Sequence, residues 1–466
     1  MQKLNFTAIG MLLVITVSCW GHAYGQDLPL ADRGQAIQDY VANIHQKLGF
    51  SGVVLAMWEG EIVATVAVGP VDAGAGNDPL IKRSLFEIAS CTKPFTAIAI
   101  LQLAEQGKLS LDDPIDKHLP GVPKHSKAIT IRHLLGHTSG IPGTNSEGAG
   151  DDFAKVLPKF LAGGPQGQPG RKFEYWNQGY SILSEVIARV SGMPYTDYIR
   201  KNIFEKSKMK NSCFTGDPPP GGASVAVGAS SFGAARSALE HPYGSYGYQY
   251  RGMGGLVTNI EDLWYWDRAL QSGRLLNKNS IRAMTTAGQG GYGLGWYVAA
   301  DPAGKPSHRH SGSVRGFVAE IRRYPSVDGA IFVLSNQDDG LPLSLVSDGV
   351  EQLLFGQPVE VKLPQRPSPA LADAAVGTYQ DAKKRTLFIG KSNSLPPVSI
   401  NWHGPVTAGY LGLDDEGKPQ LYMRDYSSKV PGFKADAPLV FSKGEKEKDF
   451  VSLLISGNEL KFSRRK

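Results

Sequence analysis

Apolar residues recur at helical spacing over residues 31–48. Ile37, Tyr40, Val41, Ile44 and Leu48 share one face there and predict a leading helix. Two β-rich runs follow at 51–58 and 61–68, and Glu59-Gly60 between them is a hairpin signal. From residue 86 to about 204 the pattern turns helical: 92–106 predicts one strong helix stopped by Gly107, and 180–190 another with Ser191-Gly192 behind it. Glycine-rich loops fill much of 216–255, and 261–270 predicts a further helix. Strands return at 291–299, 309–313, 316–324 and 330–335, and a closing helix is expected at 343–354. Strands at both ends of a helical middle imply one sheet assembled from distant segments beside a helical lobe. That is α+β organisation rather than regular βαβ.

Beyond residue 358 the pattern changes. The Pro-rich stretch 359–371 reads as a linker, and 372–466 shows alternating runs at 386–390, 398–402, 420–424 and 450–455 with turns such as Asp415-Glu416-Gly417. A second, all-β domain of barrel or sandwich type is expected there, catalytically silent, because every chemical motif precedes it. The start of the chain differs as well. Lys3, an apolar run over 8–20 and Ala23-Tyr24-Gly25 have the form of a secretory leader over residues 1–25, leaving 26–358 as the main domain. The apolar run is shorter than the ~20 residues that span a bilayer, and no later stretch is long enough. Lipid attachment at Cys19 is the alternative, weakened by Thr16 where an aliphatic residue is wanted. Export to a periplasmic or extracellular location is the expectation.

Composition narrows the classes. At roughly 100–200 residues per domain, 466 residues allow two to four domains. The 55 glycines and 30 prolines stay below the roughly 25–30% of low-complexity chains. Net charge is +6 and thinly spread, so no nucleic-acid stripe is present. After leader removal only Cys91 and Cys213 remain, too few for a disulfide framework, although counting leaves a single bridge open.

The chemistry concentrates in three places. Phe86-Glu87-Ile88-Ala89-Ser90-Cys91-Thr92-Lys93 puts Ser-x-x-Lys at the mouth of an apolar helix. Residues three apart share a helix face, so Lys93 can reach the Ser90 hydroxyl, and a partly desolvated lysine can act as its base. Ser207-Lys208-Met209-Lys210 has the same spacing without an apolar helix after it, and a capped helix with a solvated lysine is the bland explanation of either match. Tyr175-Trp176-Asn177 is the one Tyr-x-Asn of the chain and is expected on a loop. Near Lys93, Tyr175 could be partly phenolate and shuttle the Ser90 proton, and Asn177 could donate to a substrate carbonyl. His310-Ser311-Gly312, followed by Gly316-Phe317, lies on an expected strand. Its edge could pair with a peptide-like ligand and its N–H complete an oxyanion hole. His133 and His137, four apart, lack an acidic third ligand at zincin spacing. His308 and His310 share a strand face without further ligands, so no metal and no cofactor are expected. The absence of Gly-x-Ser-x-Gly argues against an α/β-hydrolase elbow.

In this order the three elements resemble the serine β-lactamase and penicillin-binding-protein superfamily, in its class C-related branch of DD-peptidases, family VIII esterases and D-aminopeptidases. The phrases at 129–140, 109–114 and 333–337 look similar too, and the resemblance runs over 32–356. It implies a β-lactamase/transpeptidase-like domain, Ser90 as acylated nucleophile, Lys93 as its base, Tyr175 as proton shuttle and Asn177 as a substrate-amide contact. It implies an oxyanion hole from the N–H groups of Ser90 and Ser313, with His310 and Gly312 in the third motif. That motif is usually Lys-Thr-Gly, which this chain lacks. The expected function is a serine hydrolase of esters, D-amino-acid peptides or, less efficiently, β-lactams; a non-turnover penicillin-recognising sensor is the alternative. Its partner is a small-molecule or peptide substrate, peptidoglycan fragments included, with oligomeric state open. Since histidine titrates near pH 6.5, carboxylate recognition through His310 is expected to fade between pH 6 and 8.

Overall fold

The computed structural model describes residues 28–73, 77–143, 150–230, 234–338, 343–359 and 368–380, and beyond them the strands within 386–464. The leader expected at 1–25, Cys19 with it, and residues 360–367 of the Pro-rich stretch lie outside the described residues.

The sheet is built from both ends of the main domain. Helix α1 (Leu30–Leu48) leads into the hairpin β1 (Gly52–Trp58) and β2 (Glu61–Val68). Far along the chain come β3 (Tyr297–Ala300), β4 (Pro306–Val314), β5 (Phe317–Tyr324) and β6 (Gly329–Ser335). The order across the sheet is β2-β1-β6-β5-β4-β3, all antiparallel. The first and last segments therefore meet in the middle, with Gly52 opposite Ser335. Successive side chains of β1 and β6 point to opposite faces, and both faces are covered. Val54, Ala56, Ile331 and Val333 pack against Ile37, Val41 and Ile44 of α1 and Val346 and Val350 of the closing helix Leu343–Leu354. Val53, Leu55, Met57, Phe332 and Leu334 join the larger core of the helical lobe. This explains why β1 and β6 read as continuous apolar runs rather than alternating ones.

Two helices of the lobe carry the site: α2 (Lys93–Glu105) and α3 (Asn177–Ser191). Helix α2 is buried over its first eleven residues, apolar all round as a central core helix must be. Ile260–Gln271 is capped by Asn259 and stacks Trp266 on Phe95 of α2, with ring centres 4.5 Å apart. The strand expected at 291–299 is shorter than its pattern. Gly290, Gly291 and Gly295 take positive φ, so the chain turns through 289–296 before β3 begins. Helix α3 starts at Asn177, three residues before the apolar periodicity, which places Asn177 on the helix and leaves Tyr175 and Trp176 in the loop before it.

The C-terminal strands form a separate eight-stranded antiparallel sheet. Its order runs Pro419–Met423, Thr407–Leu413, Pro397–Asn401, Thr386–Ile389, Gly377–Gln380, Asn458–Arg464, Asp449–Ile455, Leu439–Lys443. The two end strands approach each other, so this sheet curls towards a barrel. A helix, Pro369–Ala375, precedes it and takes up the end of the Pro-rich stretch. Among the described residues no helix is long and apolar enough to cross a membrane.

Candidate active site

Ser90 sits in a tight turn, Ala89–Thr92, that runs directly into α2. The turn is held on both sides. Phe86–Glu87 pairs with Leu256–Thr258, the Ile88 N–H donates to the Leu256 carbonyl at 3.0 Å, and the Leu256 N–H donates to Thr92 Oγ1 at 3.3 Å. Beneath it Glu87 is paired with Arg236, both fully buried, and Glu87 also accepts the Tyr250 hydroxyl. Ala89, immediately before Ser90, has φ of 43°, a conformation non-glycine residues adopt only when their surroundings over-determine it. Pro94 follows in the first turn of α2, where its missing N–H has no intrahelical partner to lose.

Lys93 is fully buried, and its Nζ donates to Ser90 Oγ at 2.9 Å and to the Met253 carbonyl at 3.2 Å. Burial, unrelieved by an adjacent carboxylate, brings its ammonium down to about 7. Free amine is therefore accessible at neutral pH, next to a hydroxyl it can deprotonate. The Tyr175 ring lies 5.0 Å from Lys93 Nζ, and its hydroxyl is hydrogen-bonded with Ser90. Burial pushes the Tyr175 hydroxyl well above its ordinary value, with the Ser90 bond only partly opposing. Tyr175 is thus a phenol at neutral pH, contrary to the phenolate considered from sequence, and Lys93 holds the available base.

Strand β4 faces the Ser90 turn. A Cβ on Gly312 would lie 2.2 Å from the Ile88 carbonyl oxygen and 2.8 Å from the Ser90 nitrogen, so glycine is what lets the strand close on the turn. Strand β3 pairs with β4 only as far as Arg309. From His310 to Val314 the outer edge carries no β3 partner, and the Ser311 and Ser313 side chains are exposed.

His310 departs from its expected role. It is 2% exposed, and its Nδ1 lies 2.7 Å from the Ser311 carbonyl, which can only accept. Nδ1 therefore carries the proton, and Nε2 accepts from the Tyr292 hydroxyl at 3.1 Å. Burial, helped by the charge of Lys93, brings His310 down to about 3. It is neutral throughout pH 6–8, so the expected fading of a His310 charge over that range is withdrawn. Arg309 lies 3.5 Å from Glu351 and Arg315 3.8 Å from Glu240, so both neighbouring cations are engaged with acids.

Three site residues escaped the sequence reasoning. His137 is buried behind Tyr175, with ring centres 4.1 Å apart, and its Nδ1 accepts the Trp176 N–H at 3.0 Å. His133 instead caps its own helix by accepting the Thr130 N–H, so the histidine pair does not converge on a metal. Among the described residues there is no cluster of three or more possible metal ligands. Tyr292 anchors His310, and Tyr297 lies parallel to Tyr175 with ring centres 6.5 Å apart. The local signal for Tyr292 was an aromatic residue set between glycines 291 and 293. Ser207, the second Ser-x-x-Lys match, ends a three-residue helix because Lys208 turns left-handed, so Ser207 and Lys210 share no helix face. Cys91 and Cys213 are both buried free thiols, which closes the single-bridge alternative.

The family model described as Beta-lactamase matches residues 36–349, a span that includes the Ser90 turn, Tyr175 and all six strands of the main sheet. The chain belongs to the beta-lactamase family. It is 33% identical over 340 residues to a putative penicillin-binding protein, PbpX, of Bacillus subtilis (strain 168), covering 71% of this chain and 80% of that protein. Among solved structures it is similar to a D-amino acid amidase from Ochrobactrum anthropi SV3 (TM-score 0.57, 25% identity, 70% of this chain and 97% of that one). A penicillin-binding protein homologue from Pyrococcus abyssi shares the fold over 92% of this chain and 99% of its own (TM-score 0.59, 22% identity). The fold expected from the sequence is the fold observed, and beta-lactamase-family relatives with amide-hydrolysing members support a serine hydrolase in general terms.

Proposed function

We propose that the chain is an exported serine hydrolase that acylates Ser90 and cleaves uncharged esters or amides, D-amino-acid derivatives among them, in preference to β-lactams. The observation that carries this is the buried Lys93 amine 2.9 Å from Ser90 Oγ, with its proton affinity lowered to about 7. In this reading Lys93 takes the Ser90 proton as Oγ bonds to the substrate carbonyl carbon. The N–H groups of Ser90 and Ser313 receive the developing oxyanion. The Tyr175 phenol, bonded to Ser90, relays a proton to the leaving alcohol or amine, and Asn177 at the start of α3 contacts the substrate amide. Water then cleaves the acyl-enzyme, giving a carboxylic acid and regenerating Ser90. The preference for uncharged substrates rests on the neutral His310 and the acid-paired Arg309 and Arg315. A charge-assisted contact contributes roughly 1.5–3 kcal/mol, about one to two orders of magnitude in rate. Export rests on the leader pattern of residues 1–25 and is checked by fractionating the producing cell.

The test is a panel of short-chain p-nitrophenyl esters, D-amino-acid amides and a chromogenic cephalosporin, with intact-mass measurement of the protein during turnover. An adduct on Ser90 that forms and clears, with esters or amides outpacing the cephalosporin, is expected. An adduct that forms and never clears would make the protein a sensor, and turnover without an adduct would remove the acyl-enzyme.

A further inference from the structure

A second cavity, of about 580 Å³, is lined by α3 residues beyond Asn177 and does not include Ser90, Lys93 or Tyr175. It lies between Ser184, Glu185 and Ala188 of α3, the start of the short helix Tyr195–Ile199, residues 214–217 and the loop 241–251. Its volume is within the range of small-molecule sites. Two of its side chains are more than nine-tenths buried and each holds a polar atom without a partner. Thr215 is 2% exposed with Oγ1 unpartnered, and His241 is 8% exposed with Nε2 unpartnered. Because His241 Nδ1 accepts the Tyr243 N–H at 3.1 Å, its proton sits on Nε2, which is therefore a donor without an acceptor. Buried polar groups are rarely left unpaired, and two on one cavity call for an explanation.

The rest of the lining says what would satisfy them. The acids are already engaged: Asp217 by Arg200 and the Phe214 N–H, Glu185 by Arg189 and the Tyr248 hydroxyl. Two guanidiniums line the same space. Arg200 lies over the Phe214 ring and Arg251 over the Tyr248 ring, at 5.3 and 4.7 Å from the ring centres. Both are acid-paired in their turn, Arg200 with Asp197 and Asp217 and Arg251 with Asp151, so what the cavity offers an incoming acceptor is the Thr215 hydroxyl and the His241 Nε2–H, with aromatic rings as an apolar wall. We propose that this cavity is a second ligand site, separate from Ser90, that takes a small organic molecule bearing a carboxylate on an apolar body. The carboxylate would accept from Thr215 Oγ1 and His241 Nε2, the two unpartnered buried groups, with the apolar body against the Phe214 and Tyr246 rings.

The site is also wired to the catalytic base. The loop that forms its wall continues from Arg251 into Gly252 and Met253, whose carbonyls accept from Thr96 Oγ1 at 2.6 Å and from Lys93 Nζ at 3.2 Å. Tyr195, another lining residue, bonds the same Thr96 hydroxyl at 2.8 Å.

The experiment is calorimetric titration of the full-length Ser90→Ala protein with phenylacetate, and separately with its neutral isostere phenylacetamide. Saturable 1:1 binding of phenylacetate is expected, at least about tenfold tighter than the amide. Thr215→Val and His241→Phe should each weaken it about tenfold, as expected for losing one hydrogen bond to a charged group. Tyr297→Ala, in the catalytic site, should leave it unchanged. Thr215→Val preserves shape, so it carries the test if His241→Phe does not fold. Absence of saturable binding would overturn the proposal. So would equal affinity for the amide, indifference to Thr215→Val, or loss of binding on Tyr297→Ala.

Discussion

The Ser90 turn with the helix it opens, and the strand that closes on it, each bury a basic side chain, Lys93 on one and His310 on the other. Both are stripped of water and neither has a carboxylate beside it, so desolvation disfavours the charged form of each. The starting points differ. Lysine begins near 10.4 and histidine near 6.5, so burial leaves Lys93 at about 7 and His310 at about 3. One group becomes a base poised at working pH, and the other becomes a neutral strut between the Ser311 carbonyl and the Tyr292 hydroxyl. Burial thus gives the two basic residues opposite electrostatic characters at working pH, one titrating and one uncharged.

The sharpest break of this comparison is at the turn. Ser90→Ala should abolish turnover and covalent labelling by a fluorophosphonate, whereas Ser207→Ala leaves both. Lys93→Met should slow acylation by about 10²–10⁴, the usual range for a general base, and Lys93→Arg should be no better because guanidinium does not give up its proton. Retention of rate by Lys93→Arg would remove Lys93 as the base. A stability measurement adds a sign. The folded pKa of Lys93 lies below its unfolded value, so between about pH 7 and 10.4 the unfolded chain binds more protons and this group's contribution to stability rises with pH. The penalty is fully present below pH 7. Lys93→Met should therefore melt higher than the parent at pH 6, with the gap narrowing towards pH 10.

The turn and the strand are also supported differently. The turn rests on the buried Glu87–Arg236 pair, while the strand rests on its ladder with β5. Arg236→Met leaves Glu87 without its cation in the core, and removing one partner of a buried pair typically costs about 3–5 kcal/mol. Denaturant unfolding should show that loss; a change under about 1 kcal/mol would mean the Tyr250 hydroxyl alone can hold Glu87. Where the two regions meet, Gly312→Ala forces a Cβ against the Ile88 carbonyl and the Ser90 amide. Displacing reacting atoms by about 1 Å can cost about 10²-fold, so kcat should fall on that order with stability less affected. An unchanged kcat would show that the strand can retreat without disturbing Ser90.

How much of this was legible from the chain depended on whether a feature was local. The hairpin at 52–68, the closing helix and the Ser90–Lys93 spacing follow from periodicities and offsets within a few residues. The joining of distant strands into one sheet was read from their order along the chain, strands at both ends of a helical middle, and the pairing of β1 with β6 agrees with it. His137 was visible only as half of a metal-like pair, since nothing local shows that its ring lies against Tyr175, 38 residues away. Asn177 was assigned to a loop because Asn177, Gln178 and Gly179 carry no apolar stripe; tertiary packing over Trp176 and Leu134 extends α3 through them. The titration of His310 was misjudged for a related reason, because the sequence supplies the unperturbed pKa and only the fold supplies the burial.

That misjudgement gives the smallest and most specific test. With His310 neutral above about pH 4, the pH dependence of acylation between 6 and 8 belongs to Lys93, and the rate should rise with pH through a midpoint near 7 as the free amine accumulates. This is the opposite direction to the one a titrating His310 would give. His310→Gln keeps an acceptor for the Tyr292 hydroxyl but cannot ionise. It should change kcat/KM for an uncharged ester by no more than a few fold, roughly one hydrogen bond's contribution, and should leave the midpoint in place. A rate that falls from pH 6 to 8 in the parent and flattens in His310→Gln would show that the imidazole is charged after all. The two basic groups would then have to exchange the roles that their burial assigns them.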